Sequence, residues 1–365
     1  MADIIFAAGG TGGHIFPALA IANRLTKEAP NVSISFLGRR NSMEEKLVTK
    51  NGYNIEFIPA VKMSRSLGGV IRFALSYPLT VLHSIRMLGR LQPKAIVATG
   101  GYVSGPIGTA AFIKRIPLIL QEQNSVPGLS SKLLNLFAKI TFTSFPDAVR
   151  HFIRKNSVQL AGNPVRDGIG ELGRIESCAT LDIDVEKIII LIIGGSQGAK
   201  SINEAMSSLI INHVTGKGKV HLIWQCGQKE TDAISKLCED AGISAIVRPF
   251  FDRMDAVLGA ADISICRGGA STLTELSKAG IPMLIVPYPY ATANHQEANA
   301  DYYQKLGAGI MVQDNNDLAE NLHKALENLL DSEDVRHQIA NASKRAGAID
   351  STGIITNKIL EELRK

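Results

Sequence analysis

Ala7-Ala8-Gly9-Gly10-Thr11-Gly12-Gly13-His14 stands between an apolar run, Ile4-Ile5-Phe6, and a helical pattern from Ile15 to Leu25. A glycine-rich turn from a first strand into a first helix opens a doubly wound α/β sheet. In a dinucleotide fingerprint, G-x-G-x-x-G, the third glycine would fall at position 15, where Ile15 stands; Arg39-Arg40 occupy the place of the acid expected after the second strand. The nicotinamide reading is therefore poor. Anion binding remains, because glycines let backbone N–H groups approach a diphosphate at a helix N-terminus. His14 stands at the rim, and an imidazole placed there can take a proton from a hydroxyl. The bland alternative is a capping or exposed histidine.

Outward from that loop, short apolar runs alternate with amphipathic stretches. Strand-like runs fall at 4–7, 33–37, 55–58, 95–98, 118–120 and 141–143. A polar interval, 167–186, follows, and the series restarts at 187–193, 222–225, 246–249, 263–266, 283–286 and 310–312. Continuous apolar strands separated by helices form parallel sheets covered on both faces. At 365 residues the chain is comfortable for two such domains. Gly194-Gly195-Ser196-Gln197-Gly198 echoes the first loop after the first strand of the second series. Two similar halves imply a cleft with both loops at strand carboxyl ends, where ligands bind. Residues 351–365 read as one more amphipathic helix.

Three further loops carry chemistry. In Cys266-Arg267-Gly268-Gly269-Ala270-Ser271-Thr272-Leu273-Thr274-Glu275, small residues open a helix whose first-turn N–H groups can meet a phosphate. Glu275, about one turn further in, can accept from both hydroxyls of a ribose; alone it would merely favour the helix dipole. The stretch from Pro287 to Ala300, with Asn294, Gln296 and Asn299, and Gln121-Glu122-Gln123-Asn124 are rich in amides. Amides both donate and accept, which suits a sugar. No metal constellation is present; Asp182-Ile183-Asp184 reads as a solvated turn, and no metal or other cofactor is expected.

The net charge is +5, but it is uneven: residues 57–121 hold Lys62, Arg65, Arg72, Arg86, Arg90, Lys94, Lys114 and Arg115 and no acid. Within that interval Ile71, Arg72, Leu75, Leu79, Leu82 and Arg86 recur at roughly helical spacing. A core-facing helix would explain the apolar residues alone. The missing acids favour an anionic membrane surface as partner. Aromatics are few, at 5%, and no nucleic-acid motif occurs, so nucleic acid is not expected. No apolar run reaches the roughly 18 residues of a membrane span, and the N-terminus enters a strand with no signal peptide. The scattered cysteines Cys178, Cys226, Cys238 and Cys266 read as reduced cytosolic thiols.

Gly9–His14, Gly100-Gly101-Tyr102-Val103-Ser104-Gly105-Pro106, Glu122-Gln123-Asn124, Gly162-Asn163-Pro164-Val165-Arg166, Gly194–Ala199 and His295-Gln296 occur in that order. Together, across essentially the whole chain, they resemble glycosyltransferase family 28, in particular the N-acetylglucosamine transferases that convert lipid I to lipid II in peptidoglycan synthesis. The resemblance implies the GT-B fold, with two Rossmann-like domains facing across a cleft. The expected domains are 1–164, joined by a returning helix at 349–365, for acceptor and membrane, and 165–348 for UDP-N-acetylglucosamine. By resemblance, Arg166 and the Phe251 backbone address uracil, and Glu275 the ribose. Ser196 and Ala270, Ser271, Thr272, Leu273 and Thr274 hold the diphosphate, while Gln296 and Asn124 contact the sugar. Thr11, Gly12 and Gly13 lie at the active site, His14 is the catalytic base, and Gly101, Tyr102 and Ser104 face the acceptor diphosphate. The implied location is the cytoplasmic face of the plasma membrane, peripherally. Gln121 stands where the family commonly has histidine, which places more weight on His14; Ala293 stands where it often has an acid or amide. Alternatives are another GT-B lipid glycosyltransferase, a UDP-sugar 2-epimerase using Glu122, an NADP-dependent oxidoreductase and a non-catalytic lipid-binding scaffold.

Overall fold

The computed structural model describes residues 2–61, 66–195, 198–213 and 219–364. These divide into two compact units, Met1–Asp167 with Ile349–Lys365, and Gly168–Ala348. Arg166 thereby falls in the first.

The first unit runs β1 (Ile4–Ala8), α1 (Gly12–Glu28), β2 (Ile34–Gly38), α2 (Met43–Lys50), β3 (Asn54–Phe57), α3 (Leu67–Leu91), β4 (Ala95–Gly100), α4 (Gly101–Ile113), β5 (Leu118–Glu122), α5 (Leu129–Leu134), β6 (Ile140–Thr143) and β7 (Val158–Leu160). Its parallel sheet has the order β3-β2-β1-β4-β5-β6-β7. Alternation along β1 sends Ile4 and Phe6 to one face and Ile5 and Ala7 to the other. The first face packs on α1 through Ile15, Ile21 and Leu25, the second on α4 through Val103 and Ile107.

The second unit runs α6 (Arg174–Leu181), β8 (Ile188–Ile193), α7 (Lys200–His213), β9 (Val220–Gln225), α8 (Thr231–Asp240), β10 (Ala245–Arg248), α9 (Met254–Ala260), β11 (Ile263–Cys266), α10 (Ala270–Ala279), β12 (Met283–Ile285), α11 (His295–Lys305), β13 (Gly309–Met311), α12 (Leu318–Asp331) and α13 (Glu333–Ala346). Its order, β10-β9-β8-β11-β12-β13, repeats the first sheet without a seventh strand. Five of the six β8 residues are buried, as a central strand covered on both faces requires. The echo between the two glycine loops is thus an echo of whole topologies. The last helix, α14 (Ser351–Leu363), packs on α1 and sends Ile355 and Ile359 into the first unit's core.

Two elements differ from the sequence reading. α6 lies inside the polar interval 167–186, packs on α9 and buries Ser177 and Cys178. Arg174 anchors it, donating to Asp262 Oδ1 (2.6 Å) and to the carbonyls of Lys187 and Val185. β7 is three residues long and exposes Gln159 and Leu160, so it carries no apolar run to read. The four cysteines are free and buried.

Candidate functional site

In the first sheet growth reverses between β1 and β4, and α1 and α4 start there, at the strands' carboxyl ends. This is where open α/β sheets bind ligands. Neither helix has a side-chain cap or an acid in its first turn. Gly100 and Gly101 both have positive φ, and a Cβ on Gly101 would collide with the Gly9 carbonyl. Glycine is therefore what lets the two loops abut with uncapped helix ends, whose positive potential suits an anion. Thr11 is exposed, Gly12 buried and Gly13 half-buried.

His14, half-buried in the first turn of α1, has its Nδ1 at 3.0 Å from the Thr99 carbonyl and 2.9 Å from Gln123 Oε1. The Thr99 hydroxyl donates to the His14 carbonyl (2.7 Å), so β4 grips both backbone and ring. Asn124 follows on the same strand end as Gln123. Its N and Nδ2 donate to Glu122 Oε1 (3.0 and 3.2 Å), and Glu122 Oε2 accepts from Gly128 N (3.2 Å). Glu122 is buried and holds the 122–128 turn together. An epimerase needs that carboxylate at a sugar ring; here it is spent on the turn.

Tyr102 donates to Glu44 Oε1 at 2.6 Å, and Gly10 N to Glu44 Oε2 at 3.4 Å. Burial, then the bond to Glu44, pushes the Tyr102 phenol up, so it stays a neutral donor at physiological pH. The buried Glu44 braces the first glycine loop, a role its α2 position does not advertise. Ser104, expected near the acceptor diphosphate, is bonded within the protein. It is buried, and its hydroxyl, with one proton to give, lies 2.9 Å from the Ala7 carbonyl and 2.7 Å from the Gly100 carbonyl while accepting from Gly100 N. That hydroxyl knits β1 to β4.

In the second unit the equivalent reversal lies between β8 and β11. Gly194, Gly195 and Gly198 follow β8; Ser196 lies outside the described residues. Gly269 caps α10 without a side-chain bond. Ser271 and Thr272 are half-buried, whereas Leu273 is fully buried and Ala270 nearly so, leaving those two only backbone to offer a ligand. Thr274 Oγ1 bonds back to the Ala270 carbonyl (2.9 Å) and lies 3.3 Å from Tyr303 Oη. Glu275 is buried on the same helix. Gln296 Oε1 accepts from Tyr288 N (3.0 Å). A Cβ on Gly268 would strike the Gln296 carbonyl, so packing against α11 already demands that glycine.

Two residues that the sequence did not single out organise these loops. Gln225, buried at the end of β9, accepts from Phe251 N (3.1 Å) and donates to the Gly195 carbonyl (3.0 Å). The Phe251 N–H therefore already has a partner. Arg267 pairs with Asp314 (2.7 Å), both side chains 11% exposed, and donates to Ser201 Oγ (2.8 Å) and the Val286 carbonyl (3.1 Å). The cation ties α7, β12 and the chain beyond β13 beneath the Gly268-Gly269 turn. Arg166, in the first unit, stacks its guanidinium 4.5 Å above the Phe16 ring.

On α3 the stripe reads as a surface. Ile71, Arg72, Leu75, Leu79, Leu82 and Arg86 are all exposed, Leu75 and Leu79 by 71% and 67%. A core-facing helix would hide them. Two of the interval's cations are paired with acids outside it, Arg90 with Glu56 (2.8 Å) and Lys94 with Asp3 (2.9 Å), while Lys62 and Arg65 lie outside the described residues. Among the described residues no helix is long and apolar enough to cross a membrane.

Known proteins align with this arrangement along the whole chain. Residues 4–143 match the glycosyltransferase family 28 N-terminal domain and residues 189–352 the family's C-terminal domain. The UDP-N-acetylglucosamine–N-acetylmuramyl-(pentapeptide) pyrophosphoryl-undecaprenol N-acetylglucosamine transferase of Ruminiclostridium cellulolyticum is 35% identical over 98% of this chain and 99% of its own length. The enzyme of the same name from Caldicellulosiruptor saccharolyticus is 36% identical over 99% of this chain and 97% of its own. The crystal structure of Acinetobacter baumannii MurG superposes with a TM-score of 0.77 at 27% identity, covering 99% of this chain and all of that one. With two parallel α/β sheets of the GT-B type and this relationship along its length, the chain is a glycosyltransferase and belongs to glycosyltransferase family 28.

Proposed function

We infer that this enzyme transfers N-acetylglucosamine from UDP-N-acetylglucosamine to the C4 hydroxyl of the N-acetylmuramyl sugar of undecaprenyl-diphosphate-N-acetylmuramyl-pentapeptide, lipid I, giving lipid II. The observation that carries this reading is the 35% identity to a transferase of that printed activity over 98% of the chain. We propose further that the first unit takes the acceptor and the second the donor. The chemistry is one inverting displacement. The acceptor oxygen bonds to the anomeric carbon as its bond to the UDP oxygen breaks, and UDP leaves with the electron pair. The hydroxyl proton passes to His14, and uncapped helix N-termini offset the charge growing on the diphosphate.

The remaining assignments are of the same standing. Glu275 takes the ribose, Arg166 and Phe251 the uracil, Gln296 and Asn124 the sugar, and the Ala270–Thr274 turn with Ser196 the phosphates. Gly101 and Tyr102 face the acceptor diphosphate. The exposed α3 stripe supports peripheral binding to an anionic membrane surface, at the cytoplasmic face where UDP-sugars are found. The decisive assay incubates the protein with labelled UDP-N-acetylglucosamine and a lipid I analogue. Formation of the β-1,4-linked disaccharide is expected; no transfer, or preference for a different nucleotide sugar, sinks the reading.

A further inference from the structure

The surroundings of His14 decide which ring nitrogen carries the proton. Nδ1 faces the main-chain carbonyl of Thr99 at 3.0 Å, a group that only accepts. It also faces the Gln123 carboxamide at 2.9 Å. Which atom of that carboxamide points at the ring is fixed from behind. Its other end lies 2.7 Å from the Thr99 carbonyl and 3.2 Å from the Gln121 carbonyl, and it also meets Gln121 Oε1. Main-chain carbonyls cannot be flipped, so the end facing them is the NH2 and the end facing His14 is the oxygen. Gln121 is held in turn, its Nε2 lying 3.2 Å from Ser144 Oγ and 3.2 Å from Asn163 Oδ1. Gln121 and Gln123 are each about 2% exposed or less, so water does not compete for these bonds.

We propose that Gln123 is a positioning residue, holding His14 in the tautomer with the proton on Nδ1, so that Nε2 presents a lone pair to the acceptor hydroxyl. Gln121 orients Gln123 with a neutral carboxamide, so the residue behind Gln123 carries no titratable group. Among the described residues no carboxylate is a hydrogen-bond partner of the ring; two neutral oxygens fix its tautomer and its direction. The opposite tautomer would set two lone pairs, on Nδ1 and on the Thr99 carbonyl, against each other. The proposal rests on the reading of His14 as the base.

The test uses the full chain labelled with 15N-histidine, the His14 signals being assigned by their loss in His14→Gln. For the neutral ring we expect a protonated Nδ1 and a bare Nε2; a predominantly Nε2-protonated ring overturns the proposal, and this measurement needs no variant of Gln123. In Gln123→Met, kcat is expected to fall about tenfold, with KM for UDP-N-acetylglucosamine within about twofold, while an Nε2-protonated fraction appears. An unchanged kcat or an unchanged ring spectrum in that variant overturns the positioning role. Full turnover in His14→Ala would instead remove His14 as base, leaving the ring-nitrogen assignment standing.

Discussion

Each sheet crosses once from its outer strand back to its centre, and the two crossovers are built differently. In the second unit α9 has seven residues, is largely buried and lies under α6. In the first, α3 runs 25 residues, and packing on α4 leaves an apolar and basic stripe in solvent. The histidines differ in the same sense. His14 sits at a strand end with Nδ1 engaged; His221 sits inside β9, with Nδ1 2.8 Å from Ser244 Oγ and a buried Nε2 that has no hydrogen-bond partner among the described residues. One topology thus serves two ends: the first unit leaves an apolar and basic stripe in solvent, and the second turns Arg267, Asp314 and His221 inward.

The sharpest way to break that contrast is His14→Ala. Turnover should drop by about 10²- to 10⁴-fold, with UDP affinity unchanged in calorimetry; a comparable loss of UDP affinity would contradict the division. Next is Asp314→Ala, which leaves the Arg267 guanidinium buried and unpaired. We expect a loss of roughly 3 kcal/mol in denaturant unfolding of the second unit, and a loss below about 1 kcal/mol would mean the pair behaves as a solvated one. Replacing Arg72 and Arg86 by glutamine should weaken binding to anionic vesicles by about fivefold per charge, about 1 kcal/mol each. Binding that is unaltered and insensitive to salt would leave α3 without that partner.

The smallest effect concerns His221. Burial, helped by the positive Lys187, lowers its pKa to about 4 from 6.5. The unfolded chain therefore binds this proton first on acidification. The stability that comes from the neutral ring is complete above about pH 6.5 and is lost as pH falls toward about 4. Between about pH 7.5 and about pH 5.5 the cost is about 1 kcal/mol, and His221→Gln should flatten that slope. An identical slope in the variant would assign the pH dependence to other groups.

Much of this was legible in order. The aliphatic runs announce both sheets, because parallel strands covered on two faces must be apolar throughout. The glycine loops announce both reversal points. What could not be read is the direction in which polar side chains turn. Gln121, Glu122 and Gln123 look like a sugar-binding run, yet all three are buried and bonded to the protein, because they end a central strand. Ser104 reads in the sequence as a group for a diphosphate, and its hydroxyl lies against the Ala7 and Gly100 carbonyls. Conversely, the α3 stripe has the spacing of a core helix and lies in solvent. Glu44, Gln225, Arg267 and Asp314 are each ordinary letters; their importance comes from contacts across long sequence separations, which no local pattern encodes.

The discontinuity of the first unit bears on how the chain is made. α14 supplies Ile355 and Ile359 to the same face of the first sheet that Ile4, Phe6 and α1 build. It is synthesised after all of the second unit, a contiguous stretch of chain. The first sheet therefore waits, with part of an aliphatic face open, while 181 intervening residues (168–348) emerge. The half that begins synthesis is the half that finishes folding last, and chains released early would carry that open face into the cell.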